Sequence, residues 1–150
     1  MKIPKETVDR RMAFFREACE RIGIKVTHQR LEIFRAVAST EEHPDAVSVH
    51  RQVRRRVPTV SLDTVYRNLR LFADHGLVSI VGMSHESVRF DANMGAHHHF
   101  VCERCGLIRD FAAEAPLAVP EAAKAFGAPR SLRLEVRGVC AACQKRIPRK

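Results

Sequence analysis

Long apolar runs are missing from this 150-residue chain, which contains no stretch of eighteen consecutive apolar residues. A membrane-spanning helix needs about 20 such residues, so no membrane span is expected. The first residues, MKIPKETVDRR, have no apolar segment and do not resemble a secretory signal peptide. Internal repeats and low-complexity tracts are absent as well. The chain is therefore expected to form one ordinary domain or two small ones.

Cysteine is scarce, with five residues, and four of the five fall into two Cys-x-x-Cys pairs. This usage fits a reducing compartment better than a disulfide scaffold, so a cytoplasmic location is expected. The fifth cysteine, Cys19, lies on an apolar helical stripe and is interpreted as a buried, unreactive thiol.

Acidic residues are outnumbered, at 17 Asp and Glu against 26 Lys and Arg, which gives a formal net charge of +9. Such a balance favours a polyanionic partner such as nucleic acid, although many basic proteins bind none.

The two Cys-x-x-Cys pairs predict a structural Zn2+ ion. Cys102 and Cys105 are followed by Gly106, whose missing side chain suits a left-handed turn, and Cys140 and Cys143 form the second pair. Four thiolates from two such knuckles complete the tetrahedral shell that zinc prefers. The alternatives are two disulfides or four unrelated core thiols.

The first ninety residues predict helices followed by a β-hairpin. Apolar residues recur at helical spacing in four segments, and Thr27 and Ser61 are suitable N-caps. The predicted elements are helices over 6–22, from Thr27, over about 46–56 and from Ser61 to Gly76, then strands over 77–81 and 88–90 joined by a turn at 82–84. Leu62, Val65, Leu69 and Phe72 are expected to face the core. This order describes a winged helix-turn-helix.

The remaining residues predict a small α/β unit tied by zinc. Short strands are expected over 100–102 and 108–111, a helix within 116–126, and a half-exposed strand over 132–136. About 55 residues are marginal alone, so metal or dimerisation is expected to stabilise them. The predicted fold class is α+β, with a DNA-binding domain at 1–91, a hinge at 92–96 and a dimerisation and metal-binding domain at 97–150.

The segment from Arg51 to Arg70 is the predicted DNA-reading surface, since it contains six arginines and a single acid, Asp63. Arg and Asn suit bidentate contacts to bases, whereas Ser and Thr reach phosphates. The alternative is a solvated basic face on an ordinary helix. The residues expected to contact DNA are Arg54, Arg55, Ser61, Thr64, Tyr66, Arg67 and Asn68.

A second metal site is predicted from the ligands that remain, which are His43, Asp91, His97, His99 and Asp110. Alternation along a strand places His97 and His99 on one side and His98 on the other. Ligands from both halves would fix the angle between them, so that a metal could switch DNA affinity. This donor set accepts Fe2+, Mn2+, Co2+ or Zn2+. Alternatively, His43 is a turn residue and Asp110 a solvated strand end. The other histidines are interpreted as surface residues: His28, His50, His75 and His85.

Several motifs together resemble the ferric uptake regulator (Fur) family. They are TVYRNL at 64–69, His43-Pro44, Arg89-Phe90-Asp91, HHHFVCERCG at 97–106 and the terminal Cys-x-x-Cys. The resemblance implies a homodimer with an N-terminal winged helix and a C-terminal dimerisation domain. It also implies a metal-dependent transcriptional repressor that binds palindromic operator DNA, and not an enzyme.

Within the family the chain resembles the peroxide-stress (PerR) branch, whose five regulatory ligands map onto the three histidines and two aspartates of the second site. The resemblance implies that Fe2+ there reacts with peroxide and that His43 and His97 are oxidised to 2-oxo-histidine, which releases DNA. Mn2+ would support DNA binding without this reaction. No histidine follows His99, so a further C-terminal metal site is not expected.

Three other functions are considered. An iron-responsive uptake repressor and a zinc-responsive repressor belong to the same family. The third is a zinc-ribbon interaction module or a metal-dependent hydrolase, for which Glu86 and Glu103 are the nearby candidate general bases.

Overall fold

The computed structural model of the chain describes residues 3–84 and 87–146. These residues form six helices and five strands and divide into two compact units, Met1–Met94 and Gly95–Lys150. The α+β prediction is therefore confirmed. Within the described ranges no helix is long and apolar enough to cross a membrane.

The first unit contains four helices and a two-stranded antiparallel hairpin. Its elements are α1 (Lys5–Ile22), α2 (His28–Ala38), α3 (Ala46–Val53), α4 (Leu62–Asp74), β1 (Ser79–Ser84) and β2 (Ser87–Asp91). The β1–β2 hairpin is called the wing below. This order is that of a winged helix-turn-helix.

Side-chain caps set the helix starts in this unit. The Thr27 hydroxyl accepts the Arg30 N–H at 3.2 Å, the Asp45 carboxylate accepts the Ser48 N–H at 2.8 Å, and the Ser61 hydroxyl accepts the Thr64 N–H at 3.0 Å. Each cap satisfies a backbone donor that the helix itself cannot pair. Because these are local interactions, the predicted caps Thr27 and Ser61 are confirmed.

Three phenylalanines from three helices form the centre of the core. Phe15 stacks on Phe34 with ring centroids 4.2 Å apart, and Phe72 meets Phe15 edge-on at 5.1 Å. Burial of each ring stabilises the fold by about 1.5–3 kcal/mol. Cys19 is buried in the same cluster, and that burial raises the pKa of its thiol. The interpretation of Cys19 as a buried thiol is confirmed.

Three predictions for this unit were wrong. Leu62 is 43% exposed and not in the core, because it lies in the first turn of α4, where it lines a surface groove with Val47 and Phe90. Helix α3 ends at Val53 and not near Arg56, and turns carry the chain from there towards Pro58. Strand β1 continues through the predicted turn at 82–84, with an irregular register after Val81.

The second unit is built on a three-stranded sheet in the order β4-β3-β5. Its elements are β3 (His98–Cys102), β4 (Ile108–Phe111), α5 (Glu121–Lys124), β5 (Glu135–Gly138) and α6 (Ala141–Lys145). Strand β3 pairs antiparallel with β4, where His99 lies opposite Asp110, and parallel with β5.

The predicted strands around the first cysteine knuckle are confirmed, whereas the later elements differ. The third strand begins at Glu135 and not at Leu132, because its start is set by pairing with β3, which its own alternation does not specify. Helix α5 has only four residues between Pro120 and Ala125. The exposed large apolar residues of this unit are Leu117, Phe126, Leu132, Leu134 and Val136.

Candidate functional site: two metal centres and a basic helix

The four cysteines of the two knuckles converge, and we call them the zinc cluster. Cys102 ends β3, Cys105 lies in the turn that follows, and Cys140 and Cys143 lie at the start of α6 and within it. One sulfur from each residue lies within 4.8 Å of all the others. Gly106 adopts φ 72° and returns its N–H to the Cys102 carbonyl at 2.9 Å, which closes the first knuckle.

The spacing of the sulfurs distinguishes zinc from disulfides. Cys105 Sγ and Cys140 Sγ are 3.7 Å apart. Thiolates at about 2.3 Å from a tetrahedral ion lie roughly 3.8 Å from one another, whereas a disulfide needs about 2.05 Å. All four cysteines are free thiols. The zinc cluster therefore fits a structural zinc site.

The cluster also prepares one thiolate for the ion. Backbone N–H groups of Cys140 and Cys105 point at the Cys102 sulfur and lower the pKa of that thiol to about 6. Hydrogen bonds with the Cys140 and Cys105 side chains, together with burial, raise the pKa of the Cys143 thiol to about 12. Zinc binding by the four sulfurs would release the protons that the thiols still carry.

In the first unit, His43 and Asp91 form a buried pair. His43 Nε2 lies 3.5 Å from Asp91 Oδ2, and the two residues are 2% and 6% exposed. Asp91 Oδ1 accepts the Asn93 N–H at 2.8 Å, which fixes the rotation of the carboxylate. His43 lies in the loop between α2 and α3, with φ 52°, and its side chain is directed to the carboxylate.

Arg89 holds this pair and was not identified from the sequence. Its guanidinium donates to the carbonyl oxygens of His43 and Glu42. Next to it, the Phe90 N–H donates to the Pro44 carbonyl at 3.1 Å. The Arg89-Phe90-Asp91 triplet was the available signal, but a sequence does not show which loop an arginine contacts.

In the second unit, the buried His97 and His99 form a cluster with the half-buried Asp110. The Nε2 atoms of His97 and His99 are 3.0 Å apart, and Asp110 Oδ1 lies 3.3 Å from His99 Nε2. Two nitrogens bound at about 2.1 Å and at right angles around one ion would be roughly 3.0 Å apart. The His97 Nδ1–H donates to the Gly95 carbonyl at 2.7 Å, so Nε2 is the nitrogen available to a metal.

His98 points the other way, as the alternation predicts. Its Nδ1 accepts the Leu134 N–H at 3.0 Å. Each unit therefore presents imidazole and carboxylate groups of the kind that Fe2+, Mn2+ and Zn2+ bind. That one ion uses all five residues stays a prediction.

The predicted DNA-reading residues of α4 divide into two groups. Arg67 and Tyr66 are exposed, and Arg67 Nη2 lies 2.6 Å from a carboxylate oxygen of Asp63 one turn earlier. Asn68 instead makes bonds within the protein: its Oδ1 accepts from Arg30 Nε at 2.9 Å and its Nδ2 donates to the Thr64 carbonyl at 2.8 Å.

The remaining residues that were singled out in the sequence lie at the following places. Arg54 and Arg55 are exposed directly after α3, and Ser61 is exposed at the start of α4. His50 was expected at the surface but is half-buried, since its Nε2–H donates to the Val60 carbonyl at 3.0 Å. His28 and His75 are exposed, whereas His85 and Glu86 lie outside the described residues. Glu103 is exposed within the first knuckle, directly after Cys102.

Comparison with known proteins matches a family and several relatives. The model of the ferric uptake regulator family matches residues 21–126. The peroxide-responsive repressor PerR of Staphylococcus epidermidis is 32% identical over 97% of this chain and 98% of its own length.

Two solved structures have similar folds. The Helicobacter pylori ferric uptake regulator Fur superposes with a TM-score of 0.70, covering 92% of this chain and 94% of that one, and its 22% identity supports the fold alone. A zinc uptake regulator complexed with zinc and DNA superposes with a TM-score of 0.65 at 26% identity, covering 93% and 96%. Since the family model spans more than half of the sequence and a relative matches nearly all of it, the chain belongs to the ferric uptake regulator family.

Proposed function

We propose that this protein is a metal-dependent transcriptional repressor that binds operator DNA as a homodimer when loaded with Fe2+ or Mn2+. Peroxide releases it by oxidising a histidine ligand. The observation that carries the proposal is that each unit presents a buried imidazole–carboxylate set next to the segment that joins the units. A cytoplasmic location is part of the proposal, because an operator-binding protein acts where the DNA is and two Cys-x-x-Cys pairs fit a reducing compartment.

The five ligands are proposed to share one ion. His43 and Asp91 would contribute from residues 1–91, the DNA-binding domain, and His97, His99 and Asp110 from residues 97–150, the dimerisation domain. An ion bound by both sets would restrict the hinge at 92–96. Metal would then favour the arrangement of domains that fits DNA, because only a ligand with different affinity for two states shifts their populations.

The histidine ligands are the proposed oxidation targets. Bound Fe2+ would supply the redox chemistry that activates peroxide, and Mn2+ would not. The net change replaces the imidazole C2–H by C2=O, with hydrogen peroxide reduced to water. His43 and His97 are the proposed targets. The response to peroxide, though not the choice of residues, is supported by the naming of the Staphylococcus epidermidis relative as a peroxide-responsive repressor. An oxidised ring is a weaker ligand, so the ion and then the DNA would be lost.

Mass spectrometry of the Fe2+ protein after micromolar peroxide tests this step. Fragment ions should show one added oxygen on His43 or His97. His98 is the internal control, because it is adjacent in sequence to two candidate ligands, yet its Nδ1 accepts the Leu134 N–H instead of joining their cluster. The Mn2+ protein should remain unmodified under the same treatment.

Operator binding with Fe2+ and with Mn2+, each with and without peroxide, tests the consequence. We expect peroxide to abolish binding of the Fe2+ form alone. An unmodified Fe2+ protein that stays on DNA would contradict peroxide sensing and would leave a repressor that responds to iron concentration. Operator binding that requires Zn2+ at the same ligands, at lower concentrations than Fe2+ or Mn2+, would indicate a zinc-responsive repressor.

The homodimer is supported by the exposed side of the second unit. Strand β5 is an edge of the sheet, and Val136 on it and Leu134 just before it are exposed apolar residues. Phe126 is 92% exposed. Exposed sheet edges and apolar patches of this kind are typical of an association surface. A two-fold dimer would present two α4 helices to two half-sites, which is why a palindromic operator is proposed.

A further inference from the structure

We propose that Arg89 is a positioning residue that assembles His43 and Asp91 before the metal binds and thereby sets the affinity of the regulatory site. The inference rests on the proposed function, because it takes these two residues as ligands. Arg89 itself would not touch the ion.

Arg89 connects the two ligands through backbone. It lies in β2, two residues before Asp91, and its guanidinium donates from Nε to the His43 carbonyl and from Nη2 to the Glu42 carbonyl. A planar guanidinium has several donors in fixed directions, so one side chain can hold two consecutive carbonyl groups. Any movement of β2 would then carry the His43 loop with it.

The loop needs such support because of its conformation. His43 is the only residue other than glycine with positive φ in the described part of the chain, at 52°. For a side chain with a Cβ this region is unfavourable, so surrounding bonds must maintain it. The Arg89 bonds act on the His43 carbonyl itself, which is the group whose direction the unusual conformation changes.

Two backbone interactions complete the attachment. The Phe90 N–H donates to the Pro44 carbonyl at 3.1 Å, and Asp45 forms an isolated antiparallel bridge with Arg89. Pro44 and Asp45, which directly follow His43, are therefore attached to β2 by one backbone hydrogen bond and one isolated bridge. The result is a separation of 3.5 Å between His43 Nε2 and Asp91 Oδ2, although the two residues are far apart in sequence.

The arrangement predicts that loss of Arg89 lowers metal affinity through His43. Without the guanidinium, the His43 loop would sample conformations in which the imidazole is not directed towards Asp91. Each of these competes with metal binding, and partners that orient ligands typically contribute 10–100-fold to affinity.

The test is titration of the zinc-replete, full-length protein with Mn2+, with free Mn2+ measured by electron paramagnetic resonance. We expect Arg89→Ala to raise the Mn2+ Kd by about tenfold or more. Arg89→Lys should raise it less, because one ammonium can keep one of the two carbonyl bonds. Arg16→Ala is the matched control, since it removes one exposed positive charge from α1, and should leave Kd unchanged.

A double-mutant comparison separates positioning from general destabilisation. If Arg89 acts through His43, Arg89→Ala in a His43→Ala background should weaken Mn2+ binding little further. An equal additional loss in that background would overturn the inference, because it would show an effect that does not pass through His43. If His43→Ala abolishes measurable Mn2+ binding, the inference is decided by the Mn2+ Kd values of Arg89→Ala and Arg89→Lys in the wild-type background.

The outcomes distinguish the inference from the proposed function. A folded Arg89→Ala protein with wild-type Kd, beside a weakened His43→Ala, would refute the positioning role alone. Wild-type Kd in both His43→Ala and Asp91→Ala would refute the proposed ligand set. Urea unfolding tests whether each variant is folded. If Arg89→Ala does not unfold cooperatively, the Mn2+ Kd of Arg89→Lys is compared with that of the wild type instead. A wild-type Kd for Arg89→Lys would then overturn the inference.

Discussion

Cys102 shows how one residue can combine structural and chemical roles. It ends β3, and its sulfur lies 3.3 Å from the Cys140 backbone nitrogen, whose N–H favours the thiolate. Cys102→Ser should release the zinc and destabilise the second unit, because metal binding and folding are coupled there. In this variant both the zinc content, measured by metal analysis, and the melting temperature should be lower than in the wild type. Cys19→Ala, which removes the thiol outside the cluster, should retain zinc, and a folded, dimeric Cys102→Ser protein without zinc would contradict the prediction.

Arg67 is an exposed cation of α4 and one of the residues proposed to contact DNA. Its ion pair with Asp63 lies on one face of the helix, and exchange of that pair for a base edge is the expected event on binding. Arg67→Ala should weaken binding to operator DNA by about 1–3 kcal/mol more than binding to random DNA, as fluorescence anisotropy can measure.

Arg54→Ala provides the comparison for Arg67. Arg54 is expected to contact a phosphate, so Arg54→Ala should weaken binding to operator DNA and to random DNA equally. Its loss should lower the slope of log affinity against log salt concentration by about one counterion. If Arg67→Ala also weakened both DNAs equally, Arg67 would be assigned to the phosphate backbone.

Helix α4 depends on its N-cap, and the cap residue is also a predicted DNA contact. Ser61→Ala should lower the free energy of unfolding by about 1 kcal/mol, because the Thr64 N–H loses its acceptor. Ser61→Asp keeps an acceptor and adds a negative charge that the helix N-terminus favours, so stability should be retained while DNA binding weakens by phosphate repulsion. Urea unfolding and DNA titration of both variants separate the two roles. Unchanged DNA affinity in Ser61→Asp would place Ser61 away from DNA.

At the scale of elements, the sequence predicts what local interactions determine. Helices α1, α2 and α4 follow from apolar spacing and from the caps Thr27 and Ser61. The start of β5 at Glu135 does not, because pairing with β3 sets it and the partner lies more than thirty residues earlier. Leu62 has the correct spacing for the core, yet it lines a surface groove with Val47 and Phe90 and remains 43% exposed.

The candidate sites show the same division. Both Cys-x-x-Cys pairs are visible because each knuckle is a local motif with one main use. The His97 and His99 side chains share a direction through strand alternation, which is also local. The roles of Arg89 and of Arg30 at Asn68 are not visible, since each bond joins residues at least 38 positions apart.

At the scale of the whole molecule, the β5 side of the second unit is the expected dimer surface. Val136→Glu should shift the protein from dimer to monomer in sedimentation velocity, because a carboxylate would be buried without a partner. Phe14→Glu, at an exposed position of α1, is the matched control and should remain dimeric. A Val136→Glu protein that remains fully dimeric would place the interface elsewhere.

The parallel pairing of β3 with β5 has a consequence for biogenesis. Parallel neighbours cannot be joined by a tight turn, so the chain from Cys102 to Cys140 must travel back along the sheet before β5 can add to it. Such distant pairing is slow to form. Zinc captured by the first knuckle would recruit the second and draw β5 into register. The rate at which newly synthesised chains mature would then follow how quickly the cell delivers zinc to them.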